Sequence, residues 1–167
     1  KKIFSTHEIA NEIGRHVKEN EFTKKNHEES FLYWTWKNNV PVFCPGITDG
    51  AFGDISVFFK KNNPDFAIDM TQDNQKLTSM LMSEDKTASL ILGGGISKHF
   101  LLNAAIFRDG FEYSIYLTTA GEFDGSDSGG NQEEAISWNK IKTDAKRIKV
   151  IADATITFPI LISAIKK

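Results

Sequence analysis

Short apolar runs alternate with helix-forming segments along most of this chain, and no other feature limits its possible folds as strongly. The runs occupy residues 40–44, 66–70, 88–92, 113–117 and 148–152. Runs that are apolar at nearly every position are typical of strands buried on both faces of a parallel sheet. The segments that follow them predict helices at residues 54–60, 71–82, 97–108, 132–141 and 157–165. This alternation predicts a doubly wound, Rossmann-like α/β fold with a mostly parallel sheet and helices on both faces.

The first part of the chain differs, because it carries one amphipathic helix and then a charged connector. A capping-box pattern begins at Ser5, and apolar residues recur at four-residue spacing from Ile9 onward. A second helix is predicted over the aromatic residues 31–36. We therefore expect residues 1–29 to precede a ligand-binding α/β domain at residues 30–167.

The composition is that of an ordinary globular domain, with 40% apolar and 25% charged residues among 167. A net charge of −2 argues against a nucleic-acid or membrane-surface binder. No run of about 18 apolar residues is present to span a bilayer. The sequence shows no secretion signal, and its single cysteine, Cys44, excludes an internal disulfide. We therefore expect a cytoplasmic protein.

Small or polar residues follow most of the predicted strands, where a sheet of this kind binds its ligands. Asp49 follows the first run, and three glycines at 93–95 follow the third. Thr119 and Asp153 come just after the fourth and fifth runs. The glycines would let backbone N–H groups approach a phosphate, and a tight strand-to-helix turn is the alternative. The two aspartates would accept hydrogen bonds from ribose hydroxyls or, alternatively, cap helices. These positions predict a nucleotide site.

The segment between Arg108 and Lys140 is unusual, because it contains seven carboxylates and no Lys, Arg or His. The carboxylates are Asp109, Glu112, Glu122, Asp124, Asp127, Glu133 and Glu134. Acids without a counter-charge repel one another unless a cation relieves them. Four interleaved glycines indicate a shaped loop, and Phe123 and Trp138 offer apolar walls for an alkylammonium. The segment predicts a site for an organic cation, with a solvated acidic face as the alternative.

A metal ion is the competing cation, since Asp124, Ser126 and Asp127 supply oxygen ligands. Their spacing does not match a calcium-binding EF-hand loop, and a neighbouring tryptophan has no use beside a calcium ion. An organic polycation is therefore preferred, and no metal site is predicted.

Lys140 and His99 are the candidate residues for chemistry. Lys140 comes two residues after Trp138, at the end of the acidic segment, which makes it a candidate nucleophile as well as a possible surface lysine. An imine-forming lysine must lose its proton, which burial and a cationic substrate favour and nearby acids oppose. His99 lies beside the glycine triplet and could move protons near neutral pH.

Five stretches of the sequence together resemble the deoxyhypusine synthase family. They are residues 40–54, 92–99, 122–129, 137–140 and 152–154. The most specific are Glu-Phe-Asp-Gly-Ser-Asp-Ser-Gly at 122–129 and Ser-Trp-Asn-Lys at 137–140. The resemblance runs from about residue 30 to near the C-terminus.

The resemblance implies an NAD-dependent transferase. Members of this family oxidise spermidine with NAD, carry its aminobutyl group on an enzyme lysine, and pass it to a lysine of a translation initiation factor. In that reaction Lys140 would form the imine, and His99 would bind substrate and handle protons. The residues implied for spermidine are Asp54, Gly125, Ser126, Asp127, Glu134 and Trp138. Those implied for NAD are Asp49, Thr119, Ala120, Asp153 and Ala154.

Members of the family are considerably longer than this chain, and their N-terminal half supplies further NAD contacts and a spermidine-binding acid. The resemblance therefore implies a fold that is incomplete without an N-terminal segment of the same enzyme. It also implies a homo- or hetero-tetramer whose active sites cross a subunit interface. Two alternatives stay open: a homospermidine-type polyamine transferase, and a non-catalytic subunit that activates a paralogue.

Overall fold

A computed structural model describes residues 3–165 of the chain, which forms two compact units, Lys1–Gln75 and Lys76–Lys167. Each unit has its own parallel sheet, with two strands in the first and three in the second. The sequence predicts a different boundary, at residue 30, between the N-terminal helix with its connector and a ligand-binding domain. That boundary is defined by ligand binding and stays a prediction. Within residues 3–165, none of the helices combines the length and the apolar character that crossing a bilayer requires.

The first unit combines helices with a small sheet. In chain order its elements are β1 (Ile3–Phe4), α1 (Thr6–Glu19), a 3₁₀ turn (His27–Glu29), α2 (Phe31–Lys37), α3 (Ala51–Asn62), β2 (Ala67–Ile68) and α4 (Met70–Met82), whose end belongs to the second unit. β1 and β2 pair in parallel. The four helices predicted in this part of the sequence are confirmed.

The capping box predicted at Ser5 starts α1. The Ser5 N–H donates to Glu8 Oε2 (2.8 Å), and the Glu8 N–H donates to Ser5 Oγ (3.4 Å). The buried carboxylate of Asp73 in α4 accepts from the next two N–H groups, those of Thr6 (2.9 Å) and His7 (3.2 Å). The first N–H groups of a helix have no partner inside it, so these acceptors fix where α1 begins.

Residues 40–44 do not form the predicted strand. Pro41 lacks the N–H group that a strand ladder needs, and the Cys44 N–H donates to the side chain of Thr6 (2.8 Å) instead. The second predicted run is a strand only at Ala67–Ile68. An apolar run interrupted by proline looks like a strand in sequence, although it cannot pair along its length.

The second unit is built around a three-stranded sheet. In chain order it contains β3 (Ala88–Leu92), α5 (Ile96–Ala105), β4 (Phe111–Thr118), α6 (Gln132–Ser137), β5 (Ile141–Ile151) and α7 (Ala154–Ile165), with 3₁₀ turns at Ile106–Arg108, Glu122–Asp124 and Asp127–Gly129. The strands lie in the order β3-β4-β5, and both pairs are parallel. Leu90, Ile115 and Ile148 lie side by side in this register. The predicted α/β class with parallel strands is confirmed.

One face of this sheet forms the core of the second unit together with α5 and α6. The buried cluster comprises Ile91, Leu102, Ala105, Phe111, Tyr116, Ala135 and Ile141. Tyr116 and Phe111 are the largest of these side chains, and both are fully buried. Burial of large aromatic area is the main force that fixes β4 against the two helices.

The end of the acidic segment differs from the prediction, since α6 stops at Ser137 and β5 begins at Ile141. Asn139 adopts a left-handed conformation (φ 55°) just after the helix, so Lys140 lies in the turn before β5 and not on a helix. The first part of β5 escapes the sequence pattern because residues 142–147 are mostly polar.

Candidate active site

A cleft of about 400 Å³ lies at the carboxyl ends of the strands of the second unit. Its walls come from residues after β3, β4 and β5 and from the acidic loop, residues 121–131. The lining residues are Gly93, Leu117, Thr118, Thr119, Ala120, Ser126, Ser128, Ala152, Asp153, Ala154 and Thr155. Open α/β sheets bind ligands in such a crevice, and ligand pockets commonly enclose about 300–1,000 Å³.

Four of the five residues predicted to contact a nucleotide cofactor line this cleft: Thr119, Ala120, Asp153 and Ala154. The hydroxyl and the N–H of Thr155 both donate to Asp153 Oδ1, and these bonds lower the pKa of Asp153. Asp153 therefore caps the start of α7, one of the two roles open to it from sequence, while it also borders the cleft.

Two predicted site residues, Asp49 and Asp54, lie in the first unit. Asp49 is exposed in the turn before α3, and Asp54 is exposed in the first turn of that helix. A Cβ at Gly53 would clash with the carbonyl oxygen of Thr48, so glycine is needed where the turn folds back on the helix. Both carboxylates are thus open to solvent beside one tight turn.

The glycine triplet is a tight turn between β3 and α5. Gly93 and Gly95 adopt left-handed conformations (φ 80° and 82°), which favour glycine. The Gly93 N–H donates to a carbonyl of β4 (2.7 Å), and the Gly95 N–H donates to Asp127 Oδ2 (2.8 Å). A Cβ at Gly94 would lie 2.5 Å from the Cα of Ser128. Because two of the three N–H groups are already bonded within the protein, the geometry favours the turn over a phosphate cradle.

The acidic loop meets α5 at a cluster of Asp127, His99 and Lys98. Oδ1 of Asp127 lies 2.7 Å from Nε2 of His99. Lys98 Nζ donates to the main-chain oxygen of Asp127 (2.7 Å) and lies 3.7 Å from its Oδ1. The imidazole of His99 is half-exposed, so two of the predicted site residues touch each other and remain open to a substrate.

Lys98 is almost fully buried, and its ammonium lies 5.0 Å from the centre of the Tyr116 ring. Glu134 is close by, since a Cβ at Gly130 would lie 3.2 Å from Lys98 Nζ and 3.6 Å from Glu134 Oε2. Burial, together with the charges of Asp127 and Glu134, raises the pKa of Tyr116 to about 12. The Tyr116 hydroxyl makes no hydrogen bond with any residue that the structure describes.

Sequence reasoning assigned no role to Lys98 or Tyr116. Lys98 stands between the glycine triplet and His99, a position that indicated nearness to the site, but a single lysine is usually solvated. Tyr116 looks like one more apolar residue of β4. Their contact depends on how the helix packs on the strand, which the sequence pattern does not contain.

Basic residues relieve part of the charge of the acidic segment. Arg108 and Lys142 lie 3.0 and 2.6 Å from the Glu112 carboxylate, and Arg147 lies 2.7 Å from that of Glu133. Burial alone would raise the pKa of Glu112, but hydrogen bonds from Arg108 and Lys142 hold it far below its usual range. These ion pairs occupy Glu112 and Glu133. The carboxylates left for the predicted cation site are those of the acidic loop and of Glu134, at the start of α6.

Local backbone conformation and hydrogen bonds shape the acidic loop at Gly125 and Ser126, two of the predicted site residues. Gly125 adopts a left-handed conformation (φ 64°), and Ser126 Oγ accepts the N–H of Gly129 (3.3 Å). From β5, Lys149 Nζ donates to the main-chain oxygen of Gly129 (2.6 Å). The Phe123 side chain is fully exposed, so the apolar wall predicted at that position is not formed by the described residues.

Lys140 lies at the other end of the sheet from the cleft. Its side chain is buried (8% exposed), and Nζ lies 5.8 Å from the centre of the Trp138 ring. Its carbonyl accepts from the Phe111 N–H (3.1 Å), at the amino ends of β4 and β5. From Phe111 to Thr118, beside the cleft, β4 covers seven residue steps of about 3.3 Å, or about 23 Å. One chain alone therefore does not bring the predicted lysine to the cleft.

The parallel sheet, its helices and the cleft at the strand ends define a Rossmann-like α/β protein. The crystal structure of an Entamoeba histolytica protein assigned to deoxyhypusine synthase is similar, with a TM-score of 0.65 and 25% identity, over 96% of this chain and 44% of that one. A family model described as deoxyhypusine synthase matches residues 1–165. The chain belongs to the deoxyhypusine synthase family, as the sequence resemblance predicts.

Curated relatives agree with this assignment. The deoxyhypusine synthase of Musa acuminata is 50% identical over 141 residues, which are 83% of this chain and 38% of that protein. A probable deoxyhypusine synthase of Methanocaldococcus jannaschii is 43% identical over 168 residues, or 99% of this chain and 51% of that protein. The chain thus spans about half the length, or less, of these relatives.

Proposed function

We propose that this chain is the C-terminal part of a deoxyhypusine synthase that uses NAD to transfer the aminobutyl group of spermidine to a lysine of a translation initiation factor. One observation supports this most strongly. The cleft and the His99–Asp127 pair are adjacent, because Ser126 and Ser128, on either side of Asp127, line the cleft. A cofactor in the cleft and a cation at Asp127 would be neighbours. The exposed thiol of Cys44 suits a reducing location such as the cytoplasm.

The cleft fits part of NAD. Thr119, Ala120 and Ala154 are small enough for the cofactor to approach the backbone, and Asp153, which borders the cleft, would bind a ribose hydroxyl. When bound, NAD would supply hydride acceptance for the oxidation of spermidine and hydride return for the final reduction. A volume of about 400 Å³ suits one nucleotide of the pair. We therefore propose that an N-terminal segment of the same enzyme holds the rest.

His99 and Asp127 would bind the amine of the substrate and take its proton. Asp127 orients the imidazole through Nε2, which leaves Nδ1 to face the substrate. Glu134 adds a second carboxylate, and the ammonium of Lys98 offsets one of the two charges. The remaining negative charge would attract one ammonium group of a slim polycation.

Lys140 would attack the oxidised carbon of spermidine with its neutral amine, form a C–N bond, and expel 1,3-diaminopropane. The acceptor lysine would attack the resulting imine in turn and release Lys140, so each exchange breaks one C–N bond and forms another. Burial of Lys140 would keep water away from the imine.

Because Lys140 and the cleft lie at opposite ends of one sheet, we propose that a second chain joins them. An oligomer, for which the family resemblance suggests a homo- or hetero-tetramer, would place the lysine of one chain at the cleft of its neighbour. Asp49 and Asp54 of the first unit would add to the NAD and spermidine contacts, as the resemblance implies. Gly125 would shape the substrate pocket.

Trapping the imine tests this function. The assembled enzyme is incubated with NAD and with spermidine labelled in its aminobutyl group, then reduced with borohydride and digested. We expect label on the peptide that contains Lys140 and none in the Lys140→Arg protein. Lys142→Arg is the matched control, because an arginine keeps the ion pair with Glu112. Unlabelled wild-type enzyme, or label retained in Lys140→Arg, would contradict the proposal.

A further inference from the structure

Lys98 is a buried cation that the proposed reaction does not consume. Only 6% of its side chain is exposed, and it lies in the first turn of α5, directly before His99. Burying an ammonium group is costly unless hydrogen bonds and opposite charges surround it. The contacts that hold it here show what the residue does for the site.

The shortest contact of Lys98 is with the backbone of Asp127 and not with its carboxylate. Nζ lies 2.7 Å from the main-chain oxygen and 3.7 Å from Oδ1. Oδ1 therefore stays available for Nε2 of His99 at 2.7 Å, while Oδ2 accepts the Gly95 N–H at 2.8 Å. Three groups from α5 and its N-cap, at residues 95, 98 and 99, thus bind three different oxygens of Asp127.

We infer that Lys98 is a positioning residue, which holds the backbone of the acidic loop so that the Asp127 carboxylate orients His99. The kinetic consequence of this role rests on the proposed function, whereas the hydrogen-bond geometry does not. A lysine that bonded the carboxylate itself would compete with the imidazole for Oδ1. The hydrogen bond from Lys98 to the main-chain oxygen of Asp127 fixes the loop and leaves the Asp127 carboxylate free to orient His99.

The residues around the Lys98 ammonium favour its hydrogen bond to the main-chain oxygen of Asp127. The Tyr116 ring lies 5.0 Å away, and an aromatic face attracts a cation. A Cβ at Gly130 would lie 3.2 Å from both Lys98 Nζ and the Asp127 oxygen that it binds. Gly130 therefore leaves the space that the contact needs, although its own φ of −54° is open to other residues.

A double-mutant cycle on the assembled enzyme tests the role. In Lys98→Met, an unbranched apolar side chain fills the space without a donor. We expect the rate of imine formation on Lys140 to fall roughly 10- to 100-fold, as a misplaced catalytic group would cause. In an Asp127→Ala background, and with spermidine at saturation so that binding does not limit the rate, the same change should have no further effect, because no carboxylate is left to position. Additive losses would overturn the inference.

Gly130→Ala is a second variant in case Lys98→Met does not fold. It crowds the hydrogen bond between Lys98 and Asp127 and removes no charge. We expect a smaller loss in the same direction, which also disappears in the Asp127→Ala background. Lys149→Met is the control, since Lys149 holds the same loop through Gly129. Its effect should add to that of Asp127→Ala, because it does not act through the carboxylate.

A readout without the reaction separates this inference from the proposed function. In ¹⁵N-labelled protein, the Nε2 proton of His99 should exchange slowly in the wild type and quickly in Lys98→Met. If Lys98→Met loses the Nε2 proton signal but the wild-type enzyme forms no imine, the inference would stand and the proposed function would be wrong. An Nε2 proton that is unchanged in Lys98→Met would overturn the inference.

Discussion

Nε2 of His99 lies 2.7 Å from Oδ1 of Asp127, and this contact joins the first turn of α5 to the acidic loop. The Asp127 side chain is 29% exposed and that of His99 is 47% exposed, so solvent reaches the pair. A group that must accept a proton from a substrate needs both a fixed orientation and access. The contact with Asp127 fixes the orientation of the imidazole, and the exposure of the pair gives a substrate access to it.

Asp127→Asn should lower the rate of imine formation by roughly 100-fold or more, since general base catalysis commonly contributes 10²–10⁴-fold. The amide keeps the shape of the side chain but loses the charge that orients the imidazole and attracts the substrate. Asp144→Asn is the matched control, because Asp144 is exposed in β5, outside the acidic loop. Single-turnover measurements should show a loss for the first variant alone.

Gly94→Ala should destabilise the second unit by about 1–3 kcal/mol, as overpacking of a tight contact does. A Cβ there would lie 2.5 Å from the Cα of Ser128, and neither backbone can move without displacing the cleft. Gly121→Ala is the control in the same region, where a Cβ meets nothing closer than 3.9 Å. Urea unfolding should give a lower midpoint for Gly94→Ala than for Gly121→Ala. Equal midpoints would show that the acidic loop does not pack tightly against the glycine triplet.

Sequence alone located most of the cleft, because the residues concerned follow strands whose apolar runs are clear. Thr119 after β4 and Asp153 after β5 are predicted from the strand ends, and both line one pocket with Ala120 and Ala154, which the family resemblance implies. The topology of a parallel sheet brings the ends of its strands together whatever the details of packing. Residues at strand ends are therefore the most predictable part of such a site.

The position of Lys140 could not be predicted in the same way. Its distance from the cleft depends on where β5 begins, and polar residues at 142–147 hide the first half of that strand. The buried contact of Lys98 with Asp127 was also out of reach, since it needs the packing of α5 against the loop. Tertiary packing, and not local pattern, decides both.

Glu112→Gln should cost about 1.5–3 kcal/mol at neutral pH, the usual contribution of hydrogen bonds to a charged group. Although burial opposes the charge of Glu112, Arg108 and Lys142 hold its pKa below the usual value. The stabilisation is therefore complete above the pKa of the unfolded chain, about 4.3, and is lost as the pH falls through the folded value. Chemical unfolding at pH 7 and at pH 3 should show a smaller difference between variant and wild type at the lower pH. Glu133→Gln, which removes an exposed pair with Arg147, should change little at either pH.

Tyr116→Phe should leave stability unchanged or raise it slightly. The hydroxyl is buried without a hydrogen-bond partner among residues 3–165, so its removal relieves an unmet polar group and keeps the ring under Lys98. Thermal unfolding of the two proteins tests this directly. A loss of about 1 kcal/mol or more would reveal a partner for the hydroxyl, such as a bound water.

Two inactive variants of the enzyme should restore activity to each other when their chains are mixed. Lys140→Arg removes the lysine, and Ala154→Trp fills the cleft at the other end of the sheet. If each site takes its lysine from one chain and its cleft from another, random mixing in equal amounts should return about a quarter of wild-type activity, because half of the chains carry each intact part. The parents should stay inactive when they are mixed only with themselves. Mixed enzyme that remains inactive, although mass spectrometry shows both chains in one assembly, would mean that the lysine reaches a cleft of its own chain.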